Sequence, residues 1–141
     1  MTQNPLNTDL EELSTAGGDM WQELRGASIF ITGGTGFFGR WLLESFAHVN
    51  RQHKLGATLT ALTRDPDAFR TAAPHLAADK SITLHYGDVR NFTAPADKFT
   101  HIIHAATESS GGSTSKLHMV DTIVTGTRNI LNFARTQGTP R

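Results

Sequence analysis

From residue 27 onward, short β-rich apolar runs alternate with stretches of helical spacing. Ser28-Ile29-Phe30-Ile31-Thr32 predicts a first strand. Residues 37–49 predict a helix: Phe38, Leu42, Phe46 and Val49 fall along one face, with Trp41 beside them. Residues 57–63 (ATLTALT) predict a second strand. Asp65-Pro66-Asp67 opens a short helix, because Asp65 can cap it and Pro66 suits its first turn; Pro74 ends it. Residues 82–86 alternate as a third strand, and residues 100–106 (THIIHAA) form a fourth. The stretch 108–115 (ESSGGSTS) reads as a flexible linker. Residues 116–136 carry a long helical pattern, stopped by Gln137-Gly138-Thr139-Pro140. Upstream, residues 1–26 read as an N-terminal arm, loose as far as Gly17-Gly18, with a short helix over 19–24. Strands separated by helices imply right-handed crossovers and a mostly parallel sheet, hence an α/β fold.

Composition narrows the partners. The 141 residues suit one domain, and 38% hydrophobic residues suffice for a core. Thirteen basic residues balance thirteen acidic ones, which argues against a nucleic-acid surface or a polybasic membrane anchor. No run of about 18 apolar residues predicts a membrane span. The polar, acidic N-terminus lacks signal-peptide character. With no cysteine there are no disulfides or thiolate metal sites, and a cytoplasmic setting is expected. The seven histidines show no metal spacing: His101 and His104, three apart on a strand, point to opposite faces.

The chemistry gathers at ITGGTGFFGR. Three glycines, Gly33, Gly36 and Gly39, join the first strand to the first long helix. The first amides of a helix lack intrahelical partners and carry the positive end of its dipole, so they can hold a phosphate. Gly33 would permit the tight turn, Gly36 the approach of a diphosphate, and Gly39 close packing of the helix. A mononucleotide loop is disfavoured, because Arg40-Trp41 stands where Lys-Ser/Thr is needed. The competing reading is a plain turn with a small-residue packing site. A strand before and a helix after favour a dinucleotide.

The G-x-x-G-x-x-G spacing of Thr32-Gly33-Gly34-Thr35-Gly36-Phe37-Phe38-Gly39 resembles the extended short-chain dehydrogenase/reductase family, the NAD(P)-dependent sugar-nucleotide epimerases and dehydratases. Three further stretches match in order. These are Tyr86-Gly87-Asp88-Val89-Arg90, Ile103-His104-Ala105-Ala106, and Val124-Thr125-Gly126-Thr127-Arg128-Asn129-Ile130-Leu131. The resemblance runs from Ile29 to about Ala134. It implies a Rossmann-type doubly wound parallel sheet, truncated after about four strands, with residues 27–141 as an incomplete NAD(P)-binding domain whose substrate lobe is absent. It also implies the site. Gly33, Thr35, Gly36, Phe37, Phe38 and Gly39 form the pyrophosphate loop. The Asp88 side chain and Val89 backbone meet the adenine. His104, Ala105 and Ala106 lie along the cofactor between its halves, with no proton-transfer role for His104.

Strand two ends Ala61-Leu62-Thr63-Arg64-Asp65. The position usually acidic in NAD-binding relatives aligns with Thr63, and Arg64 suits bidentate contact with a 2′-phosphate. NADP is therefore favoured over NAD, although a shift of two residues to Asp65 would reverse the choice. In the 116–136 helix, Leu117, Val120, Val124, Leu131 and Ala134 line one side, and Met119, Ile123, Ile130 and Phe133 much of the other. A helix apolar on two sides is expected to be buried on both. The resemblance implies a homodimer through helix 116–136, against the alternative of burial within one chain; Ile123 replaces the family's usual Asn.

Catalysis in the family uses a Tyr, a Lys four residues later and a nearby Ser or Thr. The only tyrosine, Tyr86, is followed four residues on by Arg90 and precedes the adenine motif. No catalytic residue is assigned. The expectation is the cofactor-binding part of a longer oxidoreductase acting on a nucleotide sugar, inactive by itself, with apolar surface left on its last strand and helix. The alternatives are a non-catalytic NADP-sensing module that signals to a partner protein, and a purely structural domain.

Overall fold

The structure is a computed structural model that describes residues 4–107 and 115–138. Period-two alternation in β1 (Ser28–Thr32) sends Ile29 and Ile31 to one face and Phe30 and Thr32 to the other. All four are almost fully buried, as befits a strand covered on both sides. β2 (Thr58–Thr63) pairs along one edge of β1, and β4 (His101–His104) along the other. β3 (Ile82–Tyr86) lies outside β2, giving the order β3-β2-β1-β4 with every pair parallel. Ile31 sits between Ala61 and Ile103.

One face is covered by α2 (Phe37–Gln52), α3 (Pro66–Ala72) and α4 (Pro74–Ala77), whose Leu43, Ala47, Phe69 and Leu76 pack on Ile29, Ile31, Leu59 and Ile82. The other face carries α5 (Lys116–Thr136) and the crossover from β3 to β4. There Phe30 is fully enclosed by the rings of Phe92, Phe99 and Phe133 at 5.5, 5.2 and 4.9 Å. Helices on both faces of a four-strand parallel sheet make this a truncated Rossmann-like fold, as the strand–helix alternation implies. Asp65 caps α3 by accepting from the Ala68 amide at 2.9 Å, and Pro74 separates α3 from α4.

Two readings of the sequence are corrected. Residues 4–18 are not a loose arm: α1 (Asn7–Gly17) docks on α2, and a 3-10 helix (Gly18–Leu24) packs against α1. Leu10 and Ser14 are buried, Ser14 Oγ lies 2.8 Å from His53 Nε2, and Trp21 Nε1 donates to the Ser14 carbonyl at 2.9 Å. Any β-carbon at Gly17 would overlap the Trp21 ring. On α2 Phe46 and Val49 pack inward as expected, together with Gly39, Leu43 and Ala47, but Phe38 is 76% exposed and Leu42 lies at the surface. On α5, Thr122, Gly126, Ile130 and Phe133 face the sheet, whereas Leu117, Val120, Ile123, Val124 and Leu131 are exposed. That helix is therefore buried on one side within this chain. Of the linker 108–115, residues 108–114 lie outside the described residues; Ser115 caps α5, accepting from the His118 amide at 3.2 Å.

Candidate functional site

β1 and β4 are adjacent in the sheet but distant in the chain, and the strand order reverses between them. Open α/β sheets bind ligands at this point. A groove of about 350 Å³ lies there, walled by the glycine loop, the ends of β2 and β3, and the start of the loop after β4.

The three glycines divide by what the chain demands of them. Gly33 has φ +73, a left-handed conformation, and a β-carbon on it would overlap the Ala105 carbonyl. Gly39 packs its Cα against the Gly33 carbonyl and the Gly34 backbone, where a β-carbon could not fit. Gly36 is different. Its backbone is ordinary, and an added β-carbon would meet only Gly33 O at 3.4 Å, a normal contact. The fold does not need glycine there, and the missing side chain leaves the space above it open. Gly36 is also the N-cap of α2 and supplies no side-chain cap, so the first amides of α2 keep their capacity for an outside acceptor.

On the β3 side, the Gly87 amide donates to Thr63 O at 3.0 Å and brings Asp88 and Val89 to the groove. The side-chain bond from Arg90 holds the Asp88 carboxyl down to about 2, against the opposing effect of partial burial. Arg64, exposed at the end of β2, adds a smaller pull on the same carboxylate. The β4 end is stitched to β1 by Ala105 N to Thr32 O at 3.1 Å and Ala106 N to Thr32 Oγ1 at 3.3 Å.

Gly33, Thr35, Gly36, Phe37, Phe38, Gly39, Arg64, Asp88, Val89, Ala105 and Ala106 all line this one groove. His104 does not. Its pleat position turns it towards α5, with Nδ1 2.7 Å from Thr32 Oγ1 and Nε2 3.1 Å from Thr127 Oγ1. Burial lowers its pKa, so it is a neutral strut beneath the groove. Sequence reasoning passes over Thr32, Leu62, Thr63, Gly87, Thr107 and Thr122 as lining residues. The first five lie within or beside the motifs at strand ends, Thr32 and Gly87 inside the quoted motifs and Thr63 at the position weighed for the cofactor, and that position is the available signal. Thr122 has none, because only the packing of α5 brings it there. Its buried Oγ1 has no hydrogen-bond partner among the described residues. Space above Gly36 and an unused hydroxyl at Thr122 both fit a polar, phosphate-bearing ligand.

Tyr86 is 74% exposed, and Arg90, four residues on, is engaged with Asp88. Among the described residues, no group of three or more His, Asp or Glu side chains could hold a metal, and no helix is long and apolar enough to cross a membrane.

The fold is shared with solved structures. Pen from Bacillus thuringiensis aligns with a TM-score of 0.65 at 21% identity, over 81% of this chain and 35% of that one. The UDP-Glc/GlcNAc 4-epimerase from the human pathogen Campylobacter jejuni aligns with a TM-score of 0.63 at 22% identity, over 80% of this chain and 35% of that one. The chain thus spans about a third of the length of these structures. No curated protein matches it. Residues 29–141 match the family described as "NAD dependent epimerase/dehydratase family", so the chain belongs to the NAD-dependent epimerase/dehydratase family.

Proposed function

We propose that residues 27–141 are the NAD(P)-binding portion of a sugar-nucleotide epimerase/dehydratase-type oxidoreductase, with residues 1–26 as an appended helical arm. The observation that carries this reading is Gly36, whose missing side chain serves the space at the start of α2 and not the fold. When bound, the nicotinamide cofactor supplies hydride transfer. The chain's own residues bind and orient. The glycine loop and the first amides of α2 receive the pyrophosphate. Asp88 and the Val89 backbone meet the adenine, and Ala105 and Ala106 leave room for the cofactor to cross the strand ends. A nucleotide-sugar substrate is supported by family membership and by the likeness to the Campylobacter jejuni epimerase. No described side chain forms a Tyr–Lys pair, so the chain by itself is proposed to bind without turnover. A cytoplasmic setting suits a chain without cysteine.

Arg64 lines the groove at the end of β2, which supports NADP as the proposed cofactor. Titration of NADP⁺ and NAD⁺ into the chain tests both points. NADP⁺ should bind more tightly, and Arg64→Ala should weaken it about tenfold while leaving NAD⁺ unchanged. Failure of both nucleotides to bind would sink the proposal; an unchanged NADP⁺ affinity in Arg64→Ala would remove that residue's role.

A homodimer through α5 is also proposed. Leu117, Val120, Val124 and Leu131 form an exposed apolar stripe, 81, 55, 50 and 61% accessible. Val124→Glu should convert a dimer to a monomer in sedimentation equilibrium. A wild-type chain that is monomeric at high micromolar concentration would refute this interface.

A further inference from the structure

Asp88 is not an open acceptor. Arg90 grips it as a fork, with Nε 2.9 Å from Oδ1 and Nη2 2.8 Å from Oδ2, and the Arg90 backbone amide donates to Oδ1 at 2.9 Å. A carboxylate offers about four acceptor sites, two on each oxygen. Oδ1 is therefore filled, and Oδ2 keeps one site. The same fork offsets the negative charge of Asp88 beside a groove that favours phosphate.

Arg90 is itself held from the far side. Its Nη1 lies 3.2 Å from His118 Nδ1 and 3.5 Å from Asp121 Oδ2 on α5. Thr125 Oγ1 donates to the other Asp121 oxygen at 2.6 Å and fixes that carboxylate. The neighbouring residue is docked on the same helix: Asn129 Nδ2 donates to Val89 O at 3.0 Å, and a β-carbon at Gly126 would come within 2.9 Å of the Val89 side chain. The turn after β3 is thus clamped to α5 at two successive residues.

We propose that Arg90 is a positioning residue: it turns Asp88 so that the single open acceptor on Oδ2 meets the exocyclic amino group of an adenine, and it anchors that orientation to α5. This rests on the dinucleotide reading given above. Without the fork, Asp88 can rotate and offers several equivalent acceptors. Its preference for an amino group in one direction is then lost.

The test compares the adenine dinucleotide with its hypoxanthine analogue, in which a carbonyl replaces the amino group. The wild-type chain should bind the analogue about tenfold more weakly, because the carbonyl oxygen meets a carboxylate acceptor. Arg90→Gln should bring that ratio close to one. Arg90→Lys keeps a cation beside Asp88 but loses the planar fork, and it should behave the same way; it also serves if the glutamine variant does not fold. A purely structural ion pair would weaken both nucleotides equally and leave the ratio at its wild-type value, which overturns the proposal. Wild-type chain that binds both nucleotides equally also overturns it, while leaving the dinucleotide reading intact. Wild-type chain that binds neither overturns both.

Discussion

Gly39→Ala should lower the stability of the domain by about 3 kcal/mol and abolish cofactor binding with it. The alanine methyl would overlap the Gly33 carbonyl oxygen and crowd the Gly34 Cα. Both are backbone atoms in the loop between β1 and α2, and neither can swing aside as a flexible side chain would. Gly33 cannot retreat either, because its own Cα is pressed against the Ala105 backbone of the neighbouring strand end. Relief requires α2 to move away from β1, which opens the packing of Leu43 and Ala47 on Ile31 and Ala61. Urea denaturation reads the loss as a lower midpoint; an unchanged midpoint would contradict the packing described. Gly36→Val is the companion. Its β-carbon has ordinary contacts and its backbone is extended, so stability should change by less than about 1 kcal/mol. Dinucleotide affinity should nonetheless fall by roughly a hundredfold, because the branched side chain fills the approach to the first α2 amides. A Gly36→Val chain that binds as well as wild type would leave only a structural domain.

Phe30→Ala should cost about 3–5 kcal/mol, a large share of the roughly 5–15 kcal/mol that keeps a domain folded. Phe30 has no exposed surface and touches the rings of Phe92, Phe99 and Phe133. Those rings come from the β3–β4 crossover and from α5, so one side chain of β1 ties three segments together. The opposite face spreads its burial over many aliphatic residues from α2, α3, α4 and α1, and it can absorb a single truncation more easily. Thermal unfolding of the variant checks this. A midpoint within a degree or two of wild type would show that the aromatic cluster is not central.

The sheet was legible because its strands are short, β-rich and bounded by glycine or polar turns, and the bounds of α5 follow from Ser115 at one end and Gln137-Gly138 at the other. The α1 helix was hidden because NTDLEELSTAG shows little apolar periodicity; Leu10 and Ser14 become inward residues only once α2 is there to receive them. The inward face of α2 was misjudged in part for a related reason. Periodicity points to Phe38, Leu42, Phe46 and Val49; the last two do pack inward, but Gly39 must reach the Gly33 carbonyl, and Phe38 and Leu42 are left at the surface. In the groove, local motifs place the glycine loop, Asp88 and the Ala105-Ala106 pair. They misplace His104, whose direction is set by the pleat and by Thr127 on a distant helix, and they cannot see Thr122 at all.

The pairing of β1 also bears on how the chain reaches this fold. Ser28 lies beside Thr58, and Ile29 lies beside His101. No strand meets its neighbour through a hairpin, so every rung of the sheet must first close a long loop. Such topologies fold slowly compared with helical bundles. Each doubling of loop length adds only about 0.6 kcal/mol of closure entropy, however, so distance alone does not set the order. What β4 waits for is its backing, since the aromatic cluster around Phe30 forms only when the crossover and α5 arrive together. This topology favours β1, α2 and β2 as the first part to form, with the second wall of the groove completed after them, an order that φ-values at Phe30 against Ile31 would check.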